Sequence, residues 1–266
     1  MNLFLLHLAV ADAAMCVVAF PFATIAAFQN EWRFGSAACD WYGFIGFLTG
    51  NGSITMLAAI SFDRYLHVWK PFSPFCMGSM RKVWIVSCSI WLYSITWSLC
   101  PIFGWSSYAL EPHGTSCTVD WFSDGTGNLT FIVAMFVFVF FIPLIVMIFS
   151  YGSIMKWTRM RTKKFKESAT ITDSEKQQIK SERKIILMGV TMVSAFLFCW
   201  TPYAIVSFMG TLGLYDQYSI QWSAFAPVLA KSAVIVNPII YCVTNQKFRS
   251  AYYKIIFCRS PTQVHP

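Results

Sequence analysis

Hydrophobic positions in this chain are gathered into long runs separated by shorter polar and basic stretches. A helix rises about 1.5 Å per residue, so about 20 apolar residues are enough to cross the hydrocarbon core of a bilayer. The runs predict spans over about residues 1–28, 41–66, 83–104, 129–155, 182–212 and 222–243. Few charges interrupt them beyond Asp12 and Lys231. None shows the ten-residue alternation of an outer-membrane barrel strand. Pro143, Pro202 and Pro238 fall inside spans, where neighbouring helices can satisfy the freed backbone groups. After the last span, Lys247 and Arg249 lead into Tyr252, Tyr253, Ile255, Ile256 and Phe257, which predicts a helix lying on the membrane surface over about 246–258. The expected architecture is all-α, a single transmembrane helix bundle over residues 1–266.

Composition agrees with this pattern. Charged residues make up 12 % of the chain, about half the share usual for soluble domains, and hydrophobic residues 56 %. Mean hydropathy is +0.54. These values leave no room for a separate soluble domain.

Charge placement sets the orientation. Of the 20 Lys and Arg, Lys231 is inside a span and only Arg33 lies in the first, third or fifth connection. The others fall in Arg64–Lys82, Lys156–Lys184 and Lys247–Arg259, which the positive-inside rule makes cytoplasmic. The net charge of +8 is therefore topological and does not point to nucleic acid. By this count residue 1 stands on the cytoplasmic side at the mouth of a span. Residues 1–28 lack a basic leader, carry Asp12 and exceed the apolar core of a signal peptide, so they are expected to form a true span whose preceding segment is missing.

Lys231 is the residue with the sharpest chemical meaning. It lies in the 22-residue stretch Trp222–Val243, which holds no other charge, nine residues from one end and twelve from the other. A charge at that depth costs roughly 2.5–3.5 kcal/mol on insertion scales. Snorkelling serves lysines near helix ends, not at mid-span. A desolvated lysine amine is suited to attack a carbonyl and form a Schiff base.

Other motifs fall at defined depths. Asp63-Arg64-Tyr65 closes the second span, where an arginine needs a partner; Asp63 is adjacent, and Glu182 begins the fifth span at the same level. In Cys199-Trp200-Thr201-Pro202, the proline bends a helix just beyond a bulky indole. Asn237-Pro238-Ile239-Ile240-Tyr241 places a helix break and a phenol near the end of the last span. Cys39 and Cys117 both fall at outer positions, where an oxidising exterior permits a disulfide, the alternative being two free thiols. Cys258 is a candidate for palmitoylation or a plain free cysteine. His7, His67, His113 and His265 have no metal-ligand spacing, so no metal site is expected, and no nucleophile–base arrangement for hydrolysis is visible.

Together with Leu8-Ala9-Val10-Ala11-Asp12, these strings resemble the rhodopsin-like G-protein-coupled receptors over nearly the whole chain, from their second helix to the short eighth. The resemblance implies a seven-helix bundle with six spans present here and the first helix missing. The spacing of Lys231 from Asn237, and the string Phe225-Ala226-Pro227-Val228-Leu229-Ala230-Lys231-Ser232-Ala233, resemble the opsins. The outer segment Glu111–Trp121 looks most like neuropsins, with peropsins and Go-coupled opsins close behind.

By resemblance, then, Lys231 is the attachment site of retinal, 11-cis or all-trans. Tyr42 stands where vertebrate visual opsins carry a glutamate counterion, and Glu111 matches the alternative counterion. Tyr42, Trp200 and Tyr203 are expected at the pocket. Asp63, Arg64, Tyr65, Glu182, Asn237, Pro238 and Tyr241 are expected to form the signalling switch. The implied function is a light-activated receptor, not an enzyme, coupled to a heterotrimeric G protein, with arrestin and a receptor kinase as further partners and the lipid bilayer as its setting. A retinal photoisomerase of the retinochrome type and a receptor for a diffusible ligand are the alternatives.

Overall fold

The computed structural model describes residues 2–69, 73, 76–77, 79–167, 173–214, 220–244 and 246–256. Helix α1 runs over Asn2–Ala14, passes through a π turn at Met15–Ala19 and continues over Phe20–Gln29. Asn30, at φ 57°, ends it in the left-handed conformation, its N–H reaching the carbonyls of Ala26 and Ala27. Helix α2 is Gly35–Trp69 and α3 is Met80–Leu99. Helix α4 runs over Thr126–Met135, a π turn at Phe136–Phe141, and Ile142–Glu167. Helices α5 (Asp173–Thr211), α6 (Ile220–Thr244) and the short α7 (Gln246–Ile256) follow.

The helices overrun the predicted spans because hydropathy stops at the membrane boundary, whereas backbone hydrogen bonding does not. Thus α2 begins at Gly35 rather than near residue 41, α4 continues to Glu167 rather than 155, and α5 starts at Asp173 rather than near 182. In the other direction, α3 ends at Leu99 rather than near 104, because Pro101 cannot extend it and Gly104 turns the chain at φ 93°. Helix α7 is described as far as Ile256.

Among the described residues, five helices, α1, α2, α4, α5 and α6, are long and apolar enough to cross a membrane. Helix α3 carries more serine, and its buried face is Val83, Ser87, Ile90, Ser94 and Ser98. These small residues let it approach α2 closely, and the hydroxyls of Ser94 and Ser98 bond back to the carbonyls of Ile90 and Ser94. Helix α2 is central, meeting α1, α3, α4, α5 and the hairpin described next. The core around it gathers Leu8, Met56, Leu57, Ile90, Met147, Ile154, Met192 and Tyr241.

Both π turns lie just ahead of a proline, Pro21 and Pro143. A proline ring displaces the carbonyl four residues back, and a widened turn accommodates it. In α4 the buried positions Phe131, Met135, Val139, Pro143, Met147 and Tyr151 recur at every fourth residue.

The all-α expectation holds with one addition. The connection between α3 and α4 folds into an antiparallel hairpin, β1 (Tyr108–Leu110) with β2 (Cys117–Val119), pairing Tyr108 with Val119 and Leu110 with Cys117. Tyr108 lies on Gly43 of α2: a Cβ there would stand 2.4 Å from the Tyr108 ring. The nearest atoms are at the base of that ring, so the hairpin itself must shift to make room. Gly43→Ala is expected to destabilise the fold by about 1–3 kcal/mol, read as a lower thermal midpoint in detergent. An unchanged midpoint would show that the hairpin is not seated this tightly.

Candidate functional site

The hairpin lies across one end of the bundle. The Cys39–Cys117 disulfide, with Cα atoms 5.4 Å apart, ties β2 to the first turns of α2. At the tip, the Glu111 N–H donates to the Ser116 carbonyl (2.8 Å) and the Gly114 N–H to the Glu111 carbonyl (2.8 Å). Gly114 sits at φ 75°, where a side chain would be strained. This turn aims Glu111, His113 and Ser116 inward, and the Glu111 residue is 4 % exposed.

Lys231 of α6 reaches the same point. Its Nζ donates to Ser116 Oγ at 2.9 Å and to Glu111 Oε2 at 3.3 Å. The Ser116 hydroxyl donates to Glu111 Oε2. The Tyr42 ring faces the ammonium, its centroid 5.4 Å from Nζ. His113 Nε2 lies 3.1 Å from Ser116 Oγ and 3.6 Å from Glu111 Oε2. Burial holds His113 below the usual imidazole range, opposed by the Glu111 charge and assisted by the smaller effect of the Lys231 charge. A buried ion pair offsets its desolvation only when the remaining lone pairs and protons are also satisfied, and Ser116 supplies that satisfaction here.

Below the ion pair opens a cavity walled by Phe47, Phe136, Phe140, Phe196, Trp200 and Tyr203. Trp200 stacks on Phe196 (5.5 Å) and lies against Gly50, where a Cβ would come within 2.9 Å of the indole. The Tyr203 hydroxyl bonds Thr118 Oγ1 at 2.7 Å and accepts from Trp121 Nε1 at 3.1 Å, so the hairpin is fastened to α5 as well as to α2 and α6. A primary amine with a paired carboxylate, at the head of an aromatic cavity, fits an elongated apolar aldehyde such as retinal. Lys231 offers the amine, Glu111 the charge, and the aromatic walls offer apolar surface.

The expected switch residues lie deeper in the bundle. Asn237 Nδ2 donates to Asp12 Oδ2 at 3.1 Å, tying α6 to α1. Tyr241 is buried in the central core, and Pro238 lies inside α6. At the end away from the hairpin, Arg64 Nη2 pairs with Asp63 Oδ2 at 2.9 Å, and His67 Nδ1 lies 3.1 Å from Asp63 Oδ1. Tyr65 packs edge-on against Phe149 of α4 at 5.2 Å. The Glu182 side chain, expected as a second partner of Arg64, and Cys258 lie outside the described residues. Near the start of α4, Asn128 Nδ2 donates to the carbonyls of Asp120 (3.0 Å) and Ser123 (2.9 Å).

Sequence reasoning missed four residues of this site: His113, Ser116, Thr118 and Trp121. They sit in a segment without helical periodicity. The one available signal was adjacency to Cys117, which any disulfide would carry down onto the bundle together with its neighbours.

Residues 1–241 match the profile of the 7 transmembrane receptor (rhodopsin family). The chain belongs to that family, and it is a multi-pass membrane protein. Its likenesses narrow the class. The chain is 37 % identical over 268 residues to a melanopsin of Branchiostoma belcheri, covering 97 % of this chain and 38 % of that one. It is 35 % identical to a Gq-coupled rhodopsin of Mizuhopecten yessoensis, covering 97 % and 53 %. The crystal structure of squid rhodopsin superposes with a TM-score of 0.86 at 31 % identity, covering 98 % of this chain and 78 % of that one. These relatives place it among the opsins, which are receptors and not enzymes. The chain spans about half the length of the curated relatives it matches.

Proposed function

We propose that this chain is a light-sensing receptor that carries retinal on Lys231 through a Schiff base, with Glu111 as counterion. The observation that carries the reading is the Lys231 amine at the head of an aromatic cavity, 3.3 Å from a buried carboxylate. Retinal, when bound, supplies light absorption and a double bond whose geometry light changes. The chain supplies the rest. Glu111 and Ser116 hold a proton at Lys231 Nζ. The aromatic walls exclude water and fix the cavity's shape. Trp200 lines that cavity two residues before Pro202, so a change of shape in the cavity bears on the part of α5 that lacks a backbone hydrogen bond. Motion of α5 opens the end of the bundle that carries Asp63 and Arg64.

That end is cytoplasmic by the positive-inside rule, as is the C-terminus, and is where a heterotrimeric G protein binds. The name of the Mizuhopecten relative supports coupling of the Gq class. Arrestin and a receptor kinase are further partners at the same face. The neuropsin-like assignment rests on the segment Glu111–Trp121 alone.

The test is an absorption spectrum of the purified protein reconstituted separately with 11-cis and all-trans retinal. A new band with either isomer is expected; no band with both would sink the reading. Glu111→Gln removes the anion that favours a proton at Nζ, so a visible pigment is expected to move to ultraviolet absorption at neutral pH. A dark spectrum unchanged across a pH titration would remove Glu111 from the counterion role. If the wild type already absorbs in the ultraviolet, its photoproduct is titrated instead.

A further inference from the structure

The hydrogen bonds at the hairpin tip leave one proton position undetermined until the Ser116 hydroxyl is placed, that of the His113 imidazole. Ser116 has one hydroxyl proton, and Glu111 Oε2 receives it. Ser116 Oγ also accepts from Lys231 Nζ at 2.9 Å. With its proton committed, the 3.1 Å contact between Ser116 Oγ and His113 Nε2 can be a hydrogen bond only if the imidazole donates. His113 therefore carries its proton on Nε2. Its Nδ1 is buried and has no hydrogen-bond partner among the described residues. Nε2 also faces Glu111 Oε2, the oxygen that Lys231 uses, at 3.6 Å.

We propose that His113 is a positioning residue and a second, proton-driven cation for Glu111, competing with Lys231 for the same carboxylate oxygen. In its neutral form it orients Ser116 so that the serine proton points at Glu111. Once it takes up a second proton on Nδ1, it becomes an imidazolium beside Glu111 and weakens that carboxylate's hold on the amine. Burial delays this step, so neutral His113 prevails at neutral pH and the charged form enters only on acidification. The charged groups bearing on His113 are Glu111 of the same hairpin and Lys231 of α6, and Tyr42 of α2 is the titratable group beside Lys231. Two like charges sharing one counterion titrate as a coupled set, and the coupling is reciprocal: whatever His113 does to Lys231, Lys231 does to His113.

Reciprocity makes the proposal testable in the ligand-free protein. Histidine ring signals are followed by NMR across pH, and the His113 signal is identified by its loss in His113→Gln. Lys231→Ala removes a neighbouring positive charge and should raise the His113 midpoint. Glu111→Gln removes the negative charge and should lower it, each by on the order of one pH unit. A His113 midpoint unmoved in both variants overturns the proposal.

The consequence for the pigment rests on the proposed retinal attachment and has its own readout. The wild-type dark band should shift between pH 8 and pH 5. His113→Gln, which keeps a donor for Ser116 but cannot take up the second proton, should lose the acid shift, whereas His113→Phe, which also removes the donor, should alter the alkaline band as well. Identical pH profiles in all three would also defeat the proposal. If no isomer forms a pigment, the retinal reading fails, and the NMR arm still decides this one.

Discussion

Replacing Lys231 with alanine is expected to abolish covalent retinal attachment altogether. Lys231 is the lysine that lines the cavity, and its Nζ is fixed by Glu111 and Ser116 on the cavity side of α6. The charge-assisted bonds hold the amine in place ahead of any reaction. Borohydride reduction under denaturing conditions should leave a retinyl group on the wild-type chain and none on Lys231→Ala. A retinyl adduct surviving in the variant would refute the assignment. Lys231→Arg is a useful companion, because it keeps a cation for Glu111 but no nucleophilic amine. It should fold better than the alanine variant and still take no retinal.

The second large effect is expected at the disulfide. Cys39 and Cys117 are both buried and 78 residues apart, so the bond closes a long loop as well as pinning the hairpin. Losing a native disulfide typically costs about 2–5 kcal/mol. Here the loss reaches further, because Ser116 is the next residue along and Lys231 and Glu111 meet through it. Cys39→Ser or Cys117→Ser should therefore lower both surface delivery and pigment yield, measured by surface labelling and by absorbance. Normal values for both variants would mean that Tyr203 and Lys231 hold the hairpin without the bond.

The helices were legible because twenty apolar residues in succession have few other folded solutions. Lys231 was legible because a lone charge in such a run stands out. What hydropathy could not give was helix length beyond the membrane: the ends of α2, α4 and α5 are polar or basic and still helical. The hairpin was hidden for a different reason. Its strands are three residues each, too short for a period to register, and their position is set by the disulfide and by Gly43 rather than by any local preference. The Lys231–Glu111 pairing spans 120 residues of sequence. The opsin resemblance suggested it; nothing local to either residue did. The roles of Ser116 and His113 depend on how the turn at Gly114 orients them, which is a matter of backbone geometry.

The π turn in α4 bears on how this helix can change over time. A regular helix advances about 100° per residue, so positions four apart drift by about 40° at each step. The row Phe131, Met135, Val139, Pro143, Met147 and Tyr151 nevertheless stays buried from the cavity to the far end of the bundle. The widened turn at Phe136–Phe141 takes up part of that drift. Deleting one residue there would rotate one half of α4 against the other by roughly 100°, carrying either the cavity wall or the Met147–Tyr151 stretch towards lipid. The exposed side chains of this turn, Val137, Phe138 and Phe141, are free to vary within the limits of volume and polarity. The number of residues between Pro143 and the cavity is not.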